Sequence, residues 1–115
     1  MNNNMGSRIQ DYVWTDKMTY VVVRQRSAVC LSSTQFLIFC TLHNKRKENP
    51  KDRAKSILTR DLSDLIYRGV ANPPEKPLDI VAKTVRQMNK KLAHIKLKVR
   101  CINRKQMSEY RLEAI

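Results

Sequence analysis

Four side chains near the C-terminal third of the chain are the most telling chemistry in the sequence. Lys83, Arg86, Gln87 and Lys90 are three cations and an amide. At about 100° per residue they fall on one side of a helix. Cations of this kind hold phosphate oxygens. Arg and Gln can also make paired hydrogen bonds to guanine and adenine edges. The bland alternative is a solvated, lysine-rich helix surface, which is what most charged faces are.

The element that must position them is Leu78 to Leu92. Val81, Val85, Met88 and Leu92 recur at helical spacing and form the opposite, apolar stripe. No Gly or Pro interrupts the run, and Pro77 sits just ahead of it, where a helix start tolerates proline. One face can therefore be buried while the other is presented outward. After a short link at Ala93-His94, the stretch Ile95 to Ile102 alternates apolar and basic residues. It predicts a half-buried strand with Lys96, Lys98 and Arg100 on its outer face. Asn103 to Gln106 is a polar turn, and Met107 to Leu112 the returning strand.

Charge supports a polyanionic partner. The 115 residues carry 23 Lys and Arg against 10 Asp and Glu, a formal charge of +13. Such an excess repels itself in a compact chain unless an anion is usually near. From Ile80 to Ser108 there is no acid, while the same span holds Lys83, Arg86, Lys90, Lys91, Lys96, Lys98, Arg100, Arg104 and Lys105. Nucleic acid is the commonest partner of such a footprint. An anionic membrane surface is the rival, but it asks for bulky aromatics on the apolar side of a basic helix. Val and Met stand there instead.

The rest of the chain supplies a small framework. The length suits one domain with a modest core. Residues 1–18 read as a partly disordered N-terminal tail, with an apolar cluster at Tyr12 to Trp14 that could be a strand or tack onto the core. Thr19 to Arg24 and Ala28 to Leu31 read as a hairpin around Gln25 to Ser27. Ser32 and Gln35 have the spacing of a reciprocal cap at a helix start. That helix runs through Phe36 to Leu42 and fades near Asn44. Leu37 and Cys40 lie off its buried arc. The Tyr12 to Trp14 cluster is their favoured cover; a partner chain, including a second copy in a homodimer, is the other. Lys45 to Arg53 is a charged loop, with a short helical turn expected around Arg53 to Ser56. A second helix is expected from Thr59, as N-cap, through Leu62, Leu65 and Ile66, ending at Gly69. Ala71 to Pro77 is a stiff proline-rich connection.

Cys30, Cys40 and Cys101 are odd in number and far apart. They read as reduced, mostly buried thiols of a cytoplasmic protein. Cys40 and His43 alone do not make a zinc site. No cofactor or metal is implied. His43 and His94 have no nucleophile or carboxylate in motif context, so an enzyme is the weakest reading. His94 fits a dipole contact at the helix end or a phosphate ligand better than a catalytic base. No run is apolar and long enough to span a bilayer, and no stretch reads as a signal peptide.

Taken in order, four motifs resemble the winged-helix DNA-binding output domain of OmpR/PhoB-type response regulators, over roughly Thr19 to Leu112. Leu31-Ser-Ser-Thr-Gln-Phe36 is similar to the family's Leu-Thr-Pro-Thr-Glu-Phe. Leu62-Ser-Asp-Leu-Ile-Tyr67 is similar to its Leu-Leu-Asp-x-Val-Trp. Val81 to Leu92 follows its Val-x-x-x-Ile-Arg-Arg-Leu-Arg-Lys-Lys-Leu, and Tyr110-Arg-Leu112 its closing Tyr-Arg-Leu.

The resemblance implies an α+β winged helix-turn-helix over 19–115. Three helices would stand between a small N-terminal antiparallel sheet and a C-terminal hairpin wing. It implies a third helix in the major groove, with Lys83, Thr84, Arg86, Gln87 and Asn89 facing the bases. The wing, through Arg100, Arg104 and Lys105, would reach the neighbouring groove or backbone. Lys90, Lys91 and Lys98 would add phosphate contacts. The loop from Arg68 to Pro77 corresponds to one that can touch RNA polymerase.

The sequence departs from the family in three places. There is no receiver domain, so a stand-alone module is expected, as in a small phage or plasmid regulator. Met107-Ser-Glu109 replaces the family's glycines, and the wing is longer. The connection between the first two helices is also longer. The expected function is sequence-specific binding of double-stranded DNA for transcription regulation. The alternative is a protein-interaction module that uses the same surface to grip RNA polymerase or a host regulator.

Overall fold

The computed structural model describes residues 13–48, 56–104 and 107–115. These form an α+β unit of three α-helices and two small antiparallel sheets. The first sheet has the order β1-β2-β3, from Val13–Asp16, Val21–Arg24 and Ser27–Cys30. Helix α1 spans Ser33–Glu48. The two-residue strand β4, Ile57–Leu58, leads into α2, Thr59–Ile66. Helix α3 spans Pro77–Leu92, and a single 3₁₀ turn, Ala93–Ile95, follows it. The last two strands, β5 (Leu97–Arg104) and β6 (Met107–Ala114), form a long hairpin. With β4 they make the second sheet, in the order β4-β6-β5.

The N-terminal sheet takes in part of the Tyr12 to Trp14 cluster as a strand, one of the two readings its sequence allowed. Val13 to Asp16 pair with Arg24 to Val21, so the folded unit includes part of the stretch 1–18 expected as tail. Trp14 belongs to this edge strand; Tyr12 lies outside the described residues. The chain reverses between β1 and β2 on Asp16, whose carboxylate accepts from the Met18 amide (2.9 Å) and the Thr19 hydroxyl (3.0 Å). Thr19 and Tyr20 are consumed by that reversal and are not strand. The β2–β3 turn is two residues long. Gln25 and Arg26 both sit at positive φ, 51° and 71°. That is the primed turn whose twist matches a hairpin, made here without the glycine or asparagine that usually announces it.

The reciprocal cap of α1 is present. Ser32 N–H donates to Gln35 Oε1 (2.9 Å) and Gln35 N–H to Ser32 Oγ (3.2 Å). The helix continues about a turn beyond Asn44, because Lys45, Arg46 and Lys47 suit the negative end of the helix dipole. Thr59 is not the N-cap of α2. Leu58 holds that position in extended conformation, and the Thr59 hydroxyl instead meets Ser108 on β6, at 3.2 Å from its carbonyl and 2.6 Å from its hydroxyl. The cause is β4: pairing Ile57 with Tyr110 and Leu58 with Glu109 brings Thr59 against the hairpin. Helix α2 stops at Ile66 with Tyr67 as its C-cap, short of the end expected at Gly69; Gly69 takes a positive φ of 77° in the turn that the Val70 N–H closes on the Tyr67 carbonyl (3.1 Å). The helical turn expected at Arg53 to Ser56 lies almost wholly outside the described residues, and Ser56 is coil.

The core is one cluster. Val22 and Val29 come from the first sheet, Ile38, Phe39 and Leu42 from α1, and Leu62 from α2. Val81, Val85, Met88 and Leu92 come from α3, and Leu97, Val99, Tyr110 and Leu112 from the hairpin. Two of the three cysteines are exposed, against expectation; all three are free thiols. Cys30 lies on the outer face of β3, and Cys101 lies on β5 opposite Tyr110.

One buried cation links the two sheets. Arg24 is only 3% exposed, and its guanidinium donates to the carbonyls of Ile95 (2.9 Å) and Lys96 (3.0 Å). These carbonyls belong to the turn where Lys96 takes a left-handed conformation. Lys96 is therefore turn, not strand, and β5 begins one residue later.

His43 is 6% exposed on α1, stacked on Phe39 at 5.7 Å between ring centroids. Burial, then the charges of Lys47 and Arg46, lower its pKa from 6.5 to about 4. The unfolded chain takes up this proton first as pH falls. The stability conferred by the neutral ring is therefore intact above about pH 6.5 and is lost progressively towards about pH 4. Denaturation midpoints should fall over that window, and His43→Gln should flatten the fall. An unchanged slope in the variant would exclude His43 as its source. In the same assay Met88→Ala should cost about 2–5 kcal/mol.

Candidate nucleic-acid interface

Helix α3 sorts its residues as its spacing requires. Val81, Val85, Met88 and Leu92 are buried, and Lys83, Arg86, Gln87 and Lys90 are exposed. The four exposed residues fall within an arc of roughly 100°. Asp79, in the first turn, lies on the same arc and is the acid nearest to it along the helix. Thr84 stands at the margin, half-buried, and its hydroxyl donates back to the Ile80 carbonyl (2.8 Å).

Two expected contact residues are occupied within the fold. The Asn89 amide donates to Val99 O (2.9 Å) while its oxygen accepts from Val99 N–H (2.7 Å). Asn89 therefore extends the edge of β5 as another strand would, and it is not free to read a base edge. Lys91 Nζ donates to Gln35 Oε1 (3.0 Å), the oxygen that also caps α1. It is half-buried against the start of α1 and stands off the exposed arc. Periodicity places both residues on the flanks of α3, but it cannot show which neighbour those flanks meet.

The hairpin supplies the second basic surface. Along β5, Leu97 and Val99 are buried, while Lys98 and Arg100 are exposed on the outer face. Arg100 does not carry a free charge. Glu113 on β6 lies 3.5 Å from it and also accepts from Arg111 Nε at 2.6 Å. Past Arg100 the alternation in burial ends: Cys101 and Asn103 are exposed and Ile102 is half-buried. Arg104 is the last residue of β5, and it pairs with Met107 in the backbone register. Its side chain and all of Lys105 lie outside the described residues.

The base of the hairpin is held on both edges. Asn89 closes β5 at Val99. On β6, β4 pairs only Tyr110 and Glu109, and beyond it Arg46 from α1 donates to Leu112 O (3.2 Å). Burial raises the pKa of the Tyr110 phenol, with Cys101 beside it adding to the effect and Arg86 opposing it.

One residue absent from the sequence reading joins this surface. Arg60, exposed in the first turn of α2, lines a cleft of about 200 Å³ with Leu78 of α3 and Met107 and Ser108 of the hairpin. The signal that would have found it is β4, which is too short to read from sequence.

Among the described residues no group of three or more His, Cys, Asp or Glu could hold a metal ion, and no helix is long and apolar enough to cross a membrane. His94 is exposed in the 3₁₀ turn. Comparisons with protein-family models, with curated proteins and with solved structures gave no match.

Removing the Asn89 amide leaves both polar groups of Val99 without their partner. Asn89→Ala should cost about 1–3 kcal/mol and speed hydrogen exchange at the Val99 amide. Retained protection there would mean that the hairpin is held by β6 alone.

Proposed function

We propose that the chain binds double-stranded DNA in a sequence-specific manner as a transcription regulator, with a winged helix-turn-helix arrangement of its elements. Helix α3 enters the major groove, and the β5–β6 hairpin lies along the neighbouring groove or backbone. The observation that carries this reading is the exposed arc of Lys83, Arg86, Gln87 and Lys90 on a helix fixed at its flank to a basic hairpin. A helix fits the width of the major groove, and Arg and Gln there have the geometry to read guanine and adenine. The element order from β4 to β6 agrees with the resemblance noted in the sequence.

The roles of the expected residues change with the geometry. Arg86 and Gln87 are the base readers, with Thr84 at the margin. Lys83, Lys90 and Lys98 neutralise phosphates and set the register. Arg60 joins them from α2. Asn89 positions the hairpin, and Lys91 positions α3 against α1. Arg100, shared with Glu113, is a weaker phosphate contact than Lys98.

The test is a titration of selected and scrambled duplexes against single variants. Arg86→Ala should lose about 1–3 kcal/mol of discrimination between them. Lys98→Ala should weaken both duplexes alike and reduce the salt slope by about 1. Equal losses on both duplexes in both variants would remove α3 as the reading element.

A further inference from the structure

A cleft of about 590 Å³ lies between β1 and α1, and none of its lining residues belongs to α3 or the hairpin. Phe36, Cys40, His43 and Lys47 form its α1 side, a stripe at helical spacing that runs for about 16 Å. Trp14 and Met18 form the opposite wall and are 60% and 82% exposed; Leu37, next to the stripe on α1, is 38% exposed. Large apolar side chains exposed as a group mark a contact surface.

Two further observations concern what fits there. His43 is almost wholly buried at this cleft, and its Nδ1 has no hydrogen-bond partner among the described residues. A buried polar atom left unpaired is unfavourable. The cleft is also net basic. Lys17 and Lys47 line it against one carboxylate, Asp16, which keeps its charge while accepting from Met18 N–H and the Thr19 hydroxyl.

We propose that this cleft docks an acidic amphipathic helix of a partner protein, about three turns long. The partner's apolar stripe lies on Trp14, Met18, Phe36 and Cys40, and its carboxylates meet Lys17 and Lys47. A second copy of this chain is a poor occupant. It carries +13, and the apolar stripes of its α2 and α3 are already buried in its own core.

The chain's single tryptophan, Trp14, reports on the cleft directly. The probe is a tryptophan-free synthetic helix of about 14 residues, with a Leu stripe and Glu on its other faces. The control carries Lys in place of Glu. The Glu peptide should shift Trp14 emission to the blue and saturate; the Lys peptide should not. Lys47→Glu should raise the Kd about tenfold. Met18→Glu should also raise it, while duplex binding and circular dichroism stay unchanged in both variants. Equal binding of the two peptides, or binding of neither, overturns the proposal. It is also overturned if emission from the free protein is already blue and unmoved by peptide, because residues 1–12 then fill the cleft. Blue emission that is lost on dilution, with a dimer in sedimentation, would assign the cleft to a second copy.

Discussion

A side-chain amide completes the sheet on which the exposed surface depends. β5 is the outer strand of the second sheet, and its free edge at Val99 would otherwise present an unpaired donor and acceptor. Asn89 satisfies both at once. Asn89 thus ties α3 to the hairpin, beside the core contacts that the two elements share. Arg46 does the same for β6 beyond the short reach of β4. Backbone groups away from water need partners, and here the helices supply them. The angle between the two basic surfaces is therefore a consequence of hydrogen bonding and not of packing alone.

Electrostatics then sets what that surface can meet. Three cations and an amide on one arc of α3, with Lys98 on the hairpin, leave little acid nearby except Asp79 and Glu113. Glu113 lies between Arg100 and Arg111, and it lowers the positive potential on the outer face of the hairpin. The exposed arc of α3 carries one acid, Asp79, in its first turn. Under the proposed function, a phosphate-bearing partner would be drawn most strongly to α3, next to Arg86 and Gln87. The cleft by Trp14 lies on other elements and presents a different chemistry, apolar with two lysines.

The residues that could be read in advance were those governed by local rules. The α3 stripe and the Ser32–Gln35 cap are written in spacing and residue type, and each stands where it was expected. The positions that shifted were decided by contacts distant in sequence. Thr59 lost its capping role to Ser108, forty-nine residues away. Asn89 has the composition of a base reader and the position of a strand partner. Lys91 turns towards α1. Arg24, read as the end of a strand, is a buried tie to the turn after α3. Two-residue strands such as β4 have too little pattern to detect, and both Thr59 and Arg60 depend on it.

The most direct measurement is a selection of bound fragments from random duplexes, repeated at two salt concentrations. DNA binding through α3 predicts one enriched sequence, the same at both salts, with recovery falling steeply at the higher salt. Recovery that is insensitive to salt, with no sequence enriched, would contradict it.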